Sequence, residues 1–181
     1  MKSVLSVARS ASSDFHNIVE LLVLTGQRRG EIAALRVEWI DFKKRTITLP
    51  PSITKNKRQH TFPLGKTAET PLKRGAKESV LFPARGKATP FNGWSKAKPA
   101  FDRGCPIEPW TLHDLRRTFA TNLAPLAVPV HITEKLLNHV SGTTGGIVAV
   151  YQRPAYLDEM RAAVAAWEKH LVARSKRKTS R

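Results

Sequence analysis

An amphipathic stretch at residues 111–123, which reads TLHDLRRTFATNL, sets the strongest limit on how this chain folds. Thr111 is a residue type that caps helix N-termini, and Asp114, three positions later, suits the positive end of a helix dipole. Apolar side chains then recur at helical spacing, at Leu112, Leu115, Phe119 and Leu123. We therefore predict a helix that packs on the core through this apolar stripe.

The basic residues of this helix point in different directions. At about 100° per residue, Arg116 lies at the edge of the apolar stripe, whereas Arg117 points well away from it. His113 stands three residues before Arg116 and shares its face. A cationic pair at the rim of the core suits the binding of a phosphate. A core helix with an ordinary basic exterior fits this stretch alone at least as well.

The overall charge indicates the class of partner. The chain has 181 residues, with 31 Lys and Arg against 14 Asp and Glu, and a formal net charge of +17. This length suits one domain with a sizeable core. So much positive charge implies a polyanionic partner, most simply nucleic acid, with an anionic membrane as the competing possibility. The sequence has no long apolar run and no signal peptide, so we expect no membrane partner.

Metal and disulfide chemistry have little support in the sequence. Cys105 is the single cysteine, which excludes an internal disulfide and a multi-cysteine zinc site. We expect it to be a buried or incidental thiol of a reducing compartment. The sequence also lacks the cluster of carboxylates that a metal nuclease uses. We therefore expect no metal and no cofactor.

Apolar periodicity and turn residues predict an α+β fold, mostly helical with a small antiparallel three-stranded sheet. Besides 111–123, helices are expected at residues 15–24, 28–36, 91–102 (despite its internal proline), 130–138 and from 157 onward. Strands are expected at residues 44–50, 51–54 and 59–64. Residues 65–90 are predicted to be loop with one short helix. A flexible Gly-rich loop is predicted at 141–146, before order resumes at 147–152.

Four patches rich in polar and basic residues follow one another along the chain in a characteristic order. They are TGQRRGEI at 25–32, TKNKRQHTFPL at 54–64, HDLRRTFAT at 113–121 and LLNHVSGTTGGIVAVYQR at 136–153. With this order and spacing, residues 14–156 resemble the catalytic domain of the tyrosine recombinases, the phage-integrase family. Each patch alone is weak, but a His-x-x-Arg helix followed by Leu-x-His and a tyrosine is specific in combination.

The resemblance implies a fold of the tyrosine-recombinase catalytic-domain type and a set of six catalytic residues. These are Arg28, Lys55, His113, Arg116, His139 and Tyr151. In this family's chemistry the arginines bind the phosphate and the tyrosine attacks it, forming a 3′-phosphotyrosine. The lysine protonates the leaving 5′-oxygen, and the histidines orient the phosphate and move protons. Neither a metal nor ATP is needed.

Each assignment has an alternative from the residues themselves. The alternative for Arg28 is a purely structural ion pair with Glu31, one turn further on. The alternative for His139 is a role only as a helix-end cap. Lys57 and Arg58 share the turn of Lys55, and Tyr156 is the rival of Tyr151. We expect Glu31 and Asp114 to support the arginines and the helix end rather than to act as acids or bases.

The chain departs from the family pattern in three places. Leu137-Asn138-His139 replaces the usual Leu-Gly-His, and the gap from His139 to Tyr151 is longer than in the commonest members. The separate helical domain that normally precedes the catalytic domain is missing, so we expect a C-terminal fragment. Its catalytic domain is predicted at residues 1–173, and a disordered basic tail at 174–181.

Three functions remain open at this stage. The first is a site-specific DNA recombinase or integrase, and the second is type IB topoisomerase-like cleavage, in which a lysine commonly stands where His113 stands here. The third is DNA binding without catalysis. For the first, the expected partners are double-stranded DNA and further copies of the protein on it, in the cytoplasm of a bacterial or phage host. The C-terminal amphipathic helix is expected either to dock on a neighbouring protomer or to pack on its own core.

Overall fold

The computed structural model describes residues 1–75, 79–139 and 156–176. In chain order the helices of these ranges are α1 (Lys2–Arg9), α2 (Asp14–Thr25), α3 (Arg29–Ala33), α4 (Glu69–Arg74), α5 (Trp94–Arg103), α6 (Leu112–Leu123), α7 (Val130–Leu136) and α8 (Leu157–Lys176). Short 3-10 turns follow α3 at Val37–Trp39 and α6 at Ala124–Leu126. None of the helices in this described part is long and apolar enough to cross a membrane.

The strands form one antiparallel sheet in the order β1-β2-β3, made of β1 (Ile40–Asp41), β2 (Thr46–Leu49) and β3 (His60–Pro63). This confirms the predicted α+β class and its small three-stranded sheet. The predicted strand at 51–54 was wrong, because these residues form a turn and the third strand is β1. Thr54 closes that turn, since its hydroxyl lies 2.7 Å from the carbonyl of Arg58 and 3.3 Å from that of Pro51.

Helix α2 is the centre of the core, with ten of its twelve residues buried. It ends at Gly26, whose φ of 65° lies in the left-handed region. A side chain at Gly26 would overlap the ring of Phe119 on α6, so a glycine is needed for both the turn and the close approach. The predicted helices at 15–24, 91–102, 111–123 and 130–138 are confirmed to within a few residues. The one predicted at 28–36 is shorter, because α3 ends at Ala33.

Cys105 is buried, which is one of the two possibilities that we expected for its thiol. Burial also raises the pKa of its thiol, which keeps it in the unreactive protonated form at neutral pH. Residues 141–146 and 147–152, for which a flexible loop and renewed order were predicted, lie outside the described residues.

The long C-terminal helix α8 packs on the core of its own chain. Trp167 is only 1% exposed, and its indole N–H donates to the carbonyl of Val23 on α2 at 2.9 Å. The predicted apolar stripe is buried at Met160, Val164, Trp167 and Leu171. Of the two expected arrangements of this helix, packing in cis is therefore the one observed. The helix continues to Lys176, so the first residues of the predicted tail are helical, and residues 177–181 lie outside the described residues.

A second anchor of α8 is the carboxylate of Glu168, held by the segment that follows β3. It accepts from the backbone N–H of Lys66 at 2.9 Å, and from the backbone N–H and hydroxyl of Thr67 at 3.1 and 2.5 Å. Gly65 makes this possible, because a Cβ on that residue would occupy the space of the carboxylate.

We predict that Gly65→Ala lowers the free energy of unfolding by about 2 kcal/mol, since it displaces Glu168 from three donors. Urea denaturation measures this. The matched control is Gly30→Ala in α3, where an added Cβ meets no atom within 4 Å and the helix gains up to about 1 kcal/mol. Equal stability of the two variants would contradict the proposed anchor.

Candidate functional site

The first turn of α6 is held by the capping pair predicted from the sequence. The backbone N–H and the hydroxyl of Thr111 donate to the carboxylate of Asp114 at 2.9 and 2.8 Å. These bonds lower the pKa of Asp114, which is therefore an anionic brace of the helix end at neutral pH. The helix then directs its basic residues as predicted. Arg116 is 4% exposed, the side chain of Arg117 is 74% exposed, and His113 is exposed one turn before Arg116.

The buried guanidinium of Arg116 joins three segments of the chain. Nη1 donates to the carbonyl of Gly26 at 2.9 Å, and Nη2 donates to the carbonyl of Leu137 at 2.5 Å. Burial is the main cause that lowers its pKa to about 10, with Arg28 acting in the same direction and Glu31 opposing it. Arg116 is still charged at neutral pH. A guanidinium has five N–H donors, so these two bonds leave others to face a ligand.

Arg28 stands at the junction of α2 and α3 and is held by Glu31. Its Nη1 lies 2.9 Å from Glu31 Oε1, and its backbone N–H donates to Oε2 at 3.2 Å. The side chain of Glu31 is 3% exposed and that of Arg28 is 24% exposed, so the carboxylate is buried beneath a cation that still reaches solvent. The structural partner anticipated for Arg28 is thus present, and Glu31 has the expected supporting position.

His139 lies immediately beyond α7, where its backbone N–H donates to the carbonyl of Glu134 at 2.9 Å. Its imidazole is exposed, yet partial desolvation lowers its pKa, and the charges of Arg116, Arg28 and His113 lower it further. The four predicted residues Arg28, His113, Arg116 and His139 therefore share one electrostatic environment.

The two other predicted residues, Lys55 and Tyr151, have no described contact with this cluster. Lys55 is exposed on the connection between β2 and β3, as are Lys57 and Arg58, so the choice among the three stays a prediction. Tyr151 lies outside the described residues. Its rival Tyr156 packs edge-on against His131, with ring centroids 5.4 Å apart, at the margin of the core.

Behind the cluster lie two buried polar residues that the sequence analysis did not single out. The carbonyl of Leu136, at the end of α7, accepts from Gln27 Nε2 at 2.8 Å and from His60 Nε2 at 3.1 Å. Helix ends leave such carbonyls without partners inside the helix, so these side chains act as a distant cap. His60 is 5% exposed, and burial is the main cause that lowers its pKa to about 4. No local pattern marks this role, since the partners are far apart in sequence.

We predict that His60 makes the fold acid-sensitive from about pH 6.5 downward, before most carboxylates are protonated. Its folded pKa of about 4 lies below the ordinary 6.5, so the unfolded chain binds the proton more readily. The contribution of the neutral, buried His60 to the free energy of unfolding is complete above pH 6.5 and is lost as the pH falls toward 4. It amounts to about 3 kcal/mol in total.

Urea denaturation at pH 7 and at pH 4.5 measures this loss, and His60→Gln is the matched variant. A glutamine keeps an N–H donor for Leu136 but has no proton to gain, so its stability should fall much less over this interval. The same fall in both proteins would show that the loss arises elsewhere.

Comparison with known proteins places this geometry in a family. The model of the phage integrase family matches residues 1–156. The prophage integrase IntZ of Escherichia coli is 33% identical over 163 residues, which cover 87% of this chain and 39% of that protein. The chain thus spans less than half the length of this relative.

Solved structures show the same fold. The integrase from mycobacterium phage Brujita superimposes with a TM-score of 0.71 at 18% identity, covering 92% of this chain and 56% of that one. The catalytic domain of bacteriophage HP1 integrase gives a TM-score of 0.57 at 20% identity, covering 84% of this chain and 86% of that one. The predicted resemblance is confirmed, and the chain belongs to the phage integrase family.

Proposed function

We propose that this chain is the catalytic domain of a site-specific DNA recombinase that breaks and rejoins strands through a 3′-phosphotyrosine. The observation that carries the proposal is the convergence of two arginines from distant segments, each fixed by the protein and each with donors to spare. Arg116 is fixed by the carbonyls of Gly26 and Leu137, and Arg28 by the carboxylate of Glu31.

Such a pair suits a phosphodiester whose non-bridging oxygens gain negative charge during substitution. A planar guanidinium binds two phosphate oxygens at once, and donors that are fixed beforehand need no reorganisation as the charge develops. Glu31 balances one of the two positive charges, so the pair keeps a net attraction for a phosphate. His113 and His139 contribute further donors at the same place.

In the proposed reaction the Oη of Tyr151 attacks phosphorus, and the bond from phosphorus to the 5′-oxygen breaks. Lys55 supplies the proton that the leaving 5′-oxygen needs, while one of the two histidines, His113 or His139, takes up the single phenolic proton. The bond energy is stored in the phosphotyrosine ester. Attack by a 5′-hydroxyl reverses the steps and rejoins the strand without ATP.

Composition and kinship support DNA as the substrate. The net charge of +17 fits a polyanion, and the relative in Escherichia coli is named a prophage integrase. We propose that several copies assemble on double-stranded DNA in the cytoplasm of a bacterial host. Topoisomerase-like cleavage is less favoured, because His113 stands where a lysine is common in that class and the patches at 25–32 and 136–140 fit recombinases.

We predict that Tyr151→Phe abolishes covalent capture of DNA and leaves DNA binding within about twofold, because phosphate contacts come from the cations. The probe is a pool of nicked duplexes of randomised sequence, and the adduct is detected on a denaturing gel. The captured strands also identify the cleaved sequence.

Tyr156→Phe is the matched control, since a phenylalanine can keep the ring contact with His131 and the adduct should persist. Loss of the adduct in Tyr156→Phe with its retention in Tyr151→Phe would overturn the assignment of the nucleophile. Salt-sensitive binding with no adduct from the unaltered chain would favour a DNA-binding protein without catalysis.

A further inference from the structure

A pair of asparagines connects the turn that carries Lys55 to the loop that carries His139. Asn56 Nδ2 donates to Asn138 Oδ1 at 2.7 Å, and Asn138 Nδ2 donates back to Asn56 Oδ1 at 3.2 Å. Asn56 Nδ2 also lies 3.4 Å from the carbonyl of Asn138. The two residues are 82 positions apart, and each is the immediate neighbour of a residue assigned to catalysis. We call them the asparagine clasp.

The turn itself is internally ordered on the other side of Lys55. Thr54 is buried, its hydroxyl lies 2.7 Å from the carbonyl of Arg58, and its own carbonyl accepts from the backbone N–H of Lys57 at 3.2 Å. Asn56 Oδ1 accepts from the backbone N–H of Arg58 at 3.2 Å. The turn is therefore a compact unit, and the side chain of Asn56 ties it to the active-site loop.

Asn138 also explains how the chain tolerates its departure from the usual Leu-Gly-His. Its φ is 50°, in the left-handed region that glycine adopts freely and that asparagine tolerates better than most residues. A glycine would keep this backbone but offer no side chain to Asn56. The asparagine thus preserves the loop conformation and adds a contact that the usual residue cannot make.

We propose that Asn138 is a positioning residue, which acts through Asn56 to hold Lys55 over the phosphate bound beside His139. This inference rests on the proposed function and assigns a specific step to the clasp. The clasp fixes the turn of the general acid relative to the arginines, so its loss slows protonation of the leaving 5′-oxygen and leaves phosphate binding unchanged.

The variant Asn138→Gly removes the clasp and keeps a residue suited to the left-handed backbone. Without DNA, we predict that amide hydrogen exchange at residues 55–58 accelerates about tenfold, the change expected from losing the paired hydrogen bonds, while α2 and α6 stay protected. Asn56→Ala should accelerate exchange there at least as much, because it also removes the acceptor of the Arg58 N–H, and the double variant should add little to Asn56→Ala. Unchanged exchange at 55–58 would overturn the clasp irrespective of any activity.

The proposed effect of the clasp on cleavage is tested on duplexes of the captured DNA sequence. These duplexes carry either oxygen or sulfur as the bridging 5′-atom at the cleaved phosphate. A thiol is far more acidic than an alcohol, so the sulfur substrate leaves without a general acid. Asn138→Gly should cleave the oxygen substrate about tenfold more slowly and the sulfur substrate at the rate of the unaltered chain. Lys55→Ala should show the same selectivity to a greater degree.

The outcomes separate the two proposals. An equal slowing on both substrates would show that Asn138 acts on the whole site, and a normal rate on the oxygen substrate would show that the clasp does not position the acid. Either result overturns this inference while leaving the recombinase assignment intact. If the unaltered chain forms no adduct with the randomised pool, no cleaved sequence is captured and the proposed function itself is overturned.

Discussion

The site depends on one buried guanidinium. Arg116 donates to the carbonyl of Gly26, which ends α2, and to the carbonyl of Leu137, which follows α7. Burying a charge is costly unless hydrogen bonds compensate it, and the pKa lowered to about 10 reflects that cost. The same two bonds fix the distance between the loop of Arg28 and the loop of His139. The charge that we propose to bind a phosphate is thus also the brace that assembles the candidate site.

The end of α7 shows how the remaining elements support that brace. Its last carbonyl is bound by Gln27 and His60, from the α2–α3 junction and from β3, so helix, sheet and loop meet there. His60 does so as a neutral donor, because burial lowers its pKa to about 4. A neutral histidine suits this place, since a further positive charge beside Arg116 and Arg28 would oppose theirs.

The sequence predicted what depends on local periodicity. The stripe of α6 placed Arg116 toward the core and Arg117 toward solvent, and the apolar run at 15–24 predicted the helix that the structure shows as α2. Errors arose where distant contacts decide the structure. The two-residue strand β1 is too short to show alternation, and 51–54 have strand-like residues but form a turn closed by Thr54.

The candidate site divides in the same way. Its charged residues follow from the family resemblance, and the local supports Glu31 and Asp114 were expected from the sequence. The supports from distant segments were not, because the partners of Gln27, His60 and Asn56 lie far along the chain. Helix α1 and the binding of Glu168 by the Lys66–Thr67 backbone were likewise not predicted. Such contacts form only in the tertiary structure. The individual hydrogen bonds between distant segments cannot be inferred from a single sequence.

The central claim is that Arg116 binds the scissile phosphate without leaving its structural position. A crystal structure of the Tyr151→Phe chain on a nicked duplex of the captured sequence tests this directly. We predict that Arg116 still donates to the carbonyls of Gly26 and Leu137, while its remaining N–H groups and those of Arg28 contact one phosphate. A phosphate bound elsewhere on the surface, or an Arg116 that has released both carbonyls to reach it, would contradict this dual role of Arg116.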